Sequence, residues 1–124
     1  DINSLKKFWN SLGAEVDVIT PEEHDSILAF TSHLPHIAAY ALAGLMESKY
    51  KKYASTGFKD TTRIASSDPV LWSDIFMSNR DNTLLAIKQF KEVVSRIENK
   101  IRENLKDDLK GELKSCKEKR DELV

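Results

Sequence analysis

Two short polar clusters carry the residue types with which this chain could do chemistry. The first spans Ser32 to His36 and places two histidines three residues apart beside a proline. Histidines near an interrupted helix can hydrogen-bond a ligand oxygen or transfer protons. The second cluster is Asp60-Thr61-Thr62-Arg63, in which the planar fork of arginine donors suits a carboxylate. The sequence alone therefore predicts an anion site.

Each cluster also has a structural interpretation, and pattern alone leaves both open. Buried histidines are often hydrogen-bonded residues of a core, and a zinc site at His33 and His36 is disfavoured because no third ligand is evident. Arg63 could pair with Asp60, one helical turn earlier, and Asp60 could instead be the N-cap of a short helix. Trp72 lies at helical spacing from other apolar residues, which is typical of a core position.

The elements that would position the first cluster begin at a clear boundary. Thr20-Pro21-Glu22-Glu23 combines a hydroxyl N-cap, a proline at the first helical position and an acid at the third. The helix should run to Pro35, which predicts a kink or a break near Ser32 to Pro35. Beyond it, an apolar stretch predicts a central helix buried on several sides, with three lysines in its last turns. That stretch is Ile37 to Met46, and the lysines are Lys49, Lys51 and Lys52.

Helices are also predicted around and after the second cluster. Ser66-Ser67-Asp68-Pro69 indicates another capped helix, which should end near Asn79. From Asp81 onward apolar residues recur at spacings of three, four and their multiples, with no proline up to Val124, which predicts one long helix with a weak point at Gly111. Before the first boundary, the pattern predicts a short amphipathic helix and a brief strand at Ala14 to Val18.

Composition limits the class of protein. The 124 residues are 40% hydrophobic and 31% charged with a net charge of −1, as expected of one soluble globular domain and not of a disordered or membrane protein. The sequence lacks the excess of basic residues that would indicate a nucleic-acid partner. The single cysteine, Cys116, can form no internal disulfide, which fits a reducing compartment such as the cytoplasm.

Five ordered segments together resemble the C-terminal helical domain of the prephenate dehydrogenase family. The resemblance covers about Leu5 to Val94, and both the order and the spacing of the segments match, which is more specific than a single short motif. The segments are Pro21-Glu22-Glu23-His24-Asp25, Ser32-His33-Leu34-Pro35-His36, Gly57 to Ala65 with Ser67-Asp68-Pro69, Trp72-Ser73-Asp74-Ile75, and Asn79-Arg80.

The resemblance implies an all-α dimerisation domain of the 6-phosphogluconate-dehydrogenase-like type. Residues 1–19 would be a hinge helix and strand that join a Rossmann domain missing from this chain, and residues 20–124 the substrate-binding and dimerisation domain. The implied activity is oxidative decarboxylation of prephenate to 4-hydroxyphenylpyruvate, or of arogenate to tyrosine. NAD or NADP would be bound mainly by the missing domain. That domain would also hold the catalytic histidine, so the chain alone is expected to be inactive.

The resemblance also assigns roles to residues of this chain. Arg63 resembles the arginine that binds a substrate carboxylate, and His36 resembles a histidine of the substrate pocket, with His33 beside it. Asp60 resembles an acidic residue at the pocket entrance, and Trp72 an aromatic residue close to it. The implied partners are a second copy of the chain and, in members with a regulatory module, tyrosine. The alternatives are an arogenate dehydrogenase domain or a non-catalytic helical interaction module.

Overall fold

The computed structural model describes residues 19–123, and all regular secondary structure within this range is helical. The all-α fold class is thus confirmed there, whereas the predicted opening helix and strand lie outside the described residues. No helix in the described range is long and apolar enough to cross a membrane. The chain divides after Asn79 into two compact units. The helices of the first unit are α1 (Pro21–Leu28), a π-helical segment (Ala29–His33), α2 (Leu34–Gly44), a 3₁₀ helix (Ser48–Tyr53), α3 (Thr56–Thr62), a second 3₁₀ helix (Arg63–Ser66) and α4 (Pro69–Ser78).

The predicted start of α1 is confirmed. The hydroxyl of Thr20 accepts a hydrogen bond from the backbone N–H of Glu23 at 3.1 Å, and Pro21 occupies the first turn. This side-chain bond satisfies one of the backbone donors that a helix start leaves without a partner.

The predicted interruption before Pro35 takes the form of a π-helical segment and not of a break. The backbone N–H of Leu34 donates to the carbonyl of Ala29, five residues earlier, so the turn is one residue wider than an α turn. Because Pro35 has no N–H, the α-helical ladder could not be completed here in any case. The chain continues as α2 without leaving the helical conformation.

Two expectations about the central helix are wrong. Helix α2 ends at Gly44, and Glu47 takes an extended conformation between α2 and the following 3₁₀ helix. The three lysines predicted for the last turns of α2 therefore lie in that 3₁₀ helix. The helix is also less buried than its composition suggests. Among its residues Ala39 is the buried one, and the neighbouring Leu45 is 74% exposed. Most apolar side chains of this helix are therefore half-buried within the described residues.

The second cap is confirmed, and a separate hydrogen bond beside it joins α2 to the start of α4. The carboxylate of Asp68 accepts from the backbone N–H of Val70 at 3.0 Å. The hydroxyl of Tyr40 on α2 donates to the carbonyl of Ser67 at 2.8 Å, just before α4 begins. Asp60 lies within α3 and not at its start, so its interpretation as an N-cap is wrong.

The second unit is a helical hairpin, so the prediction of one long helix is wrong. Helix α5 (Arg80–Arg102) and helix α6 (Lys106–Asp121) are separated by a turn in which Asn104 has a φ of 55°. The N–H of Leu105 donates to the carbonyl of Lys100 at 2.9 Å, and that of Asn104 to Ile101 at 3.2 Å. These two bonds form a Schellman motif, in which asparagine replaces the more usual glycine.

Charged side chains join the two helices of this hairpin. One oxygen of Glu112 on α6 accepts from Nε of Arg96 and from Nζ of Lys100 on α5, each at 2.9 Å. The predicted weak point, Gly111, lies within α6, while the actual turn comes several residues earlier.

Candidate functional site

The aromatic ring of Trp72 on α4 contacts two other residues that the sequence singles out. The ring of His36 stacks on it, with centroids 3.4 Å apart and an interplanar angle of 17°. His33 approaches the same indole by its edge, at 6.5 Å and 80°. His33 also makes an edge contact with Phe76, one turn further along α4. The structure therefore brings His33, His36 and Trp72 together.

An open apolar groove of about 510 Å³ lies between α2 and α4. Its lining residues recur at spacings of three and four on each helix, so one face of each helix forms each wall. Groups of this kind, largely apolar with a few hydroxyls, suit a ring-shaped ligand or a second apolar surface. The lining residues are Ile37, Tyr40 and Ala41 on α2, and Pro69, Trp72, Ser73 and Phe76 on α4.

The hydrogen bond of His36 determines which of its nitrogens carries the proton. Its Nδ1 lies 2.8 Å from the carbonyl oxygen of Ser32. A carbonyl can only accept, so Nδ1 is the donor, and the neutral ring presents Nε2 as an acceptor. In this form His36 can accept a hydrogen bond from a hydroxyl or an ammonium group.

His33 occupies a different environment from His36. It is only 6% exposed, and burial lowers its pKa, with the nearby His36 lowering it further and Asp25 opposing both. The ring is thereby kept neutral, because desolvation disfavours the charged form. The Nδ2 atom of Asn79 lies 3.4 Å from Nδ1 of His33. His33 thus has the environment of a packed, hydrogen-bonded residue.

The second polar cluster remains on the surface of the first unit. Arg63 begins a 3₁₀ helix that packs against α2, and its side chain is exposed. Among the described residues it forms no ion pair with Asp60 or with another acid, so the structural alternative of an Asp60–Arg63 pair is wrong. No ring contact or hydrogen bond of the described residues joins Arg63 or Asp60 to the stacked rings. Within the part of the chain that the structure describes, the guanidinium of Arg63 is thus exposed and has no acidic partner.

Three further residues organise the site and were given no role from the sequence. Tyr40 and Ser67 join α2 to the start of α4, as described above. Asn79 joins the end of α4 to α1 through a bond from its Nδ2 to the carbonyl of Asp25 at 2.7 Å. The sequence signal for Asn79 and Ser67 was their place in the five ordered segments, and periodicity gave none for Tyr40.

Residues 20–115 match the family model described as prephenate dehydrogenase, dimerization domain. The chain belongs to this family. It is also 33% identical over 128 residues to a prephenate dehydrogenase of Bacillus subtilis, an alignment that covers 98% of this chain and 34% of the relative. A cyclohexadienyl dehydrogenase of Zymomonas mobilis is 37% identical over 93 residues, covering 69% of this chain and 32% of the relative.

A solved structure shows the same fold. The prephenate dehydrogenase from A. aeolicus, in complex with hydroxyphenyl propionate and NAD⁺, superposes with a TM-score of 0.82 and 36% sequence identity. The match covers 99% of this chain and 45% of that protein. The chain spans about a third of the length of the curated relatives it matches. It therefore corresponds to the helical dimerization domain of the prephenate dehydrogenase family.

Proposed function

We propose that this chain supplies the substrate-binding surface and the dimer interface of an NAD(P)-dependent prephenate dehydrogenase. The observation that carries the proposal is the exposed guanidinium of Arg63, which is not neutralised by Asp60, in the same unit as the His36–Trp72 stack. Family membership supports the assignment, and a relative holding NAD⁺ and an aromatic acid supports the ligand classes.

The chemistry of the substrate explains why these side chains suit it. Prephenate carries two carboxylates and a ring hydroxyl, and its oxidation transfers a hydride from the hydroxyl-bearing carbon to NAD(P)⁺ while CO₂ leaves and the ring becomes aromatic. Arg63 would bind one carboxylate through two parallel hydrogen bonds. Trp72 and His36 would present a flat surface and an acceptor nitrogen. Holding the substrate in register with the nicotinamide is the main contribution such a domain can make.

The domain assignment is part of this proposal. Residues 1–19 would connect to a nucleotide-binding domain that carries the catalytic histidine, and residues 20–124 would act in binding and dimerisation. We propose Asp60 as an entrance residue and His33 as a support for the pocket. A cytoplasmic location and regulation by tyrosine belong to the same proposal, and they are supported by the lone cysteine and by the family resemblance respectively.

The dimer interface would include the apolar stripe of α5. Phe90, Val94 and Ile101 are 43%, 47% and 59% exposed, although they lie on one face of the helix. Exposed apolar residues on one helical face favour a protein partner. A second copy of this chain fits the family model, which describes a dimerization domain. An obligate dimer should bury about 2,000 Å² or more of total surface.

The decisive experiment measures reduction of NAD⁺ and NADP⁺ by the full-length enzyme with prephenate and with arogenate. Arg63→Ala should lower kcat/KM by at least about a hundredfold, because a charge-assisted bidentate contact is lost. Arg102→Ala is the matched control, since Arg102 pairs with Glu98 on the surface of α5 at 3.2 Å. Equal effects of the two substitutions would overturn the assignment of Arg63.

Arogenate is the second candidate substrate. The acceptor Nε2 of neutral His36 suits the ammonium group of arogenate, which prephenate lacks. A higher kcat/KM for arogenate than for prephenate in the same experiment would favour it. If the intact protein oxidised neither compound, the remaining interpretation would be a non-catalytic helical interaction module.

A further inference from the structure

Asn79 connects three parts of the first unit through one side-chain amide. It follows the last turn of α4, and its Nδ2 atom donates to the carbonyl of Asp25 on α1 at 2.7 Å. The same nitrogen lies 3.4 Å from Nδ1 of His33 in the π-helical segment. The contacts cross 54 and 46 residues of sequence respectively. A single asparagine therefore joins the end of α4 to two positions that lie about two turns apart, one in α1 and one in the π-helical segment.

The short bond to a carbonyl identifies the donor side of the amide. Only the NH₂ group of Asn79 can donate to the Asp25 oxygen, so the amide orientation is determined. The remaining hydrogen of that nitrogen is directed to His33, whose Nδ1 then acts as an acceptor. His33 is consequently protonated on Nε2, the opposite arrangement to that of His36. The two histidines differ in tautomer because they have different backbone and side-chain partners.

We propose that Asn79 is a positioning residue for substrate binding, which holds His33 and α1 to the end of α4 and so maintains the stack of His36 on Trp72. The inference rests on the proposed function, because it assumes that the stacked rings contact the substrate. Substrate binding would then depend on Asn79, a residue that lies outside the groove and outside the two polar clusters.

The geometry explains how a residue at the helix end can affect the rings. Asn79 comes seven residues after Trp72 and is the C-cap residue of α4, about two turns beyond the ring. His33 and His36 are three residues apart on the opposing helix, and both contact the Trp72 indole. Because dispersion contacts weaken steeply when the separation grows by 0.5–1 Å, a small shift of α4 would weaken a stack at 3.4 Å.

The test uses the full-length enzyme with two substitutions of Asn79. Asn79→Asp keeps the size but removes the NH₂ donors, and Asn79→Ser shortens the side chain without adding a charge. Ser78→Ala is the matched control, because the Ser78 hydroxyl bonds only within α4, to the carbonyl of Asp74 at 2.7 Å. Circular dichroism establishes that each variant has retained its helices.

Two readouts report on positioning. Labelling with 5-fluorotryptophan gives a ¹⁹F resonance for Trp72, assigned by Trp72→Phe, which responds to the stacked His36 ring. Steady-state kinetics then separates KM from kcat. We expect both Asn79 variants to shift the Trp72 resonance and to raise KM about fivefold to tenfold, which is the size of effect expected from the loss of one hydrogen bond, with kcat changed less than threefold. Ser78→Ala should leave the resonance, KM and kcat at their original values.

The proposal is overturned if folded Asn79 variants keep the Trp72 resonance and KM of the original enzyme. It is also overturned if kcat falls while KM and the resonance stay constant, which is the result expected when only the folded fraction decreases. If the original enzyme oxidises neither prephenate nor arogenate, the proposed function fails. The ¹⁹F resonance still decides whether Asn79 maintains the ring stack.

Discussion

The two compact units of this chain are stabilised by different kinds of contact. In the first unit, side chains bond to distant backbone carbonyls, as Tyr40 does to Ser67, and aromatic rings meet at Trp72. In the hairpin of α5 and α6, the described long-range side-chain bonds are the ion pairs of Glu112. Ion pairs near the surface contribute little and tolerate exchange, whereas ring stacks and side-chain bonds to distant backbone groups require particular residues. The first unit is thus suited to a specific site and the hairpin to a broad interface.

The largest effect is expected from a charge in the apolar stripe of the hairpin. Val94→Glu places a carboxylate at the proposed dimer interface, and we expect the dimer dissociation constant to rise at least a hundredfold. Sedimentation equilibrium measures this constant. Lys91→Glu, on an exposed polar position of the same helix, is the control. An unchanged dimer in Val94→Glu would place the interface elsewhere.

Removal of the central ring should affect binding and leave assembly intact. Trp72→Ala deletes the surface on which His36 stacks, and we expect KM for the substrate to rise about tenfold to thirtyfold. Trp72→Phe retains an aromatic face and should raise it less. Kinetics of the full-length enzyme, with sedimentation of the same samples, distinguishes the effects. Loss of the dimer in Trp72→Ala would contradict the assignment of binding to the first unit and dimerisation to the hairpin.

The turn of the hairpin should respond to backbone preference and not to side-chain chemistry. Asn104 has a φ of 55°, which is costly for a β-branched residue and easy for glycine. Asn104→Val should lower the free energy of unfolding by about 1–2 kcal/mol, whereas Asn104→Gly should maintain or raise it. Chemical denaturation measures both changes. Equal stability of the two variants would contradict the Schellman turn.

The two units should lose stability in different ranges of pH. In the first unit the pKa of His33 is lowered by burial, so the folded state binds the proton less well than the unfolded chain. Its contribution is therefore complete at neutral pH and decreases as the pH falls below about 6.5. In His33→Gln this titrating group is absent, so the midpoint of thermal unfolding should depend less on pH between about 5 and 7 than it does in the original protein.

In the hairpin the relevant range is more acidic. Hydrogen bonds from Lys100 and Arg96 lower the pKa of Glu112 from 4.5 to about 2. The contribution of this carboxylate is present above pH 4.5 and is lost as the pH falls towards 2. Glu112→Gln should remove that dependence and lower the stability at pH 7 by the same modest amount that the original protein loses on acidification, because solvent screens the exposed Arg96 partner. Thermal unfolding between pH 2 and 5 checks this smallest effect. Identical profiles would contradict it.

Some of the fold follows from the sequence because its signals are local. The caps at Thr20 and Asp68 were predicted with their correct helices, since a hydroxyl or carboxylate before a proline has few other interpretations. The turn at Asn104 was missed because asparagine is a weaker signal than glycine, and because the apolar spacing continues through it. Periodicity alone could not show that α6 returns along α5.

The site was predictable in part for a related reason. His33, His36 and Trp72 were singled out by residue type and family resemblance, and they meet in the structure. The roles of Arg63 and Asp60 remain predictions, because no contact among the described residues joins them to the rings. The place of Asn79 could not be derived from spacing, since its partners lie about fifty residues away in sequence. Contacts of that separation depend on the packing of whole helices.

The π-helical segment also has a geometric effect on everything that follows it. An additional residue in a helical turn rotates the next residues by about 100° around the helix axis. The face of α2 that carries His36 and Tyr40 is therefore displaced from the face it would have occupied in an uninterrupted α-helix. Deleting one residue between Ala29 and His33 would restore a regular helix and, in doing so, turn both side chains away from α4. A regular α-helix at the π-helical segment is therefore incompatible with the assembled site.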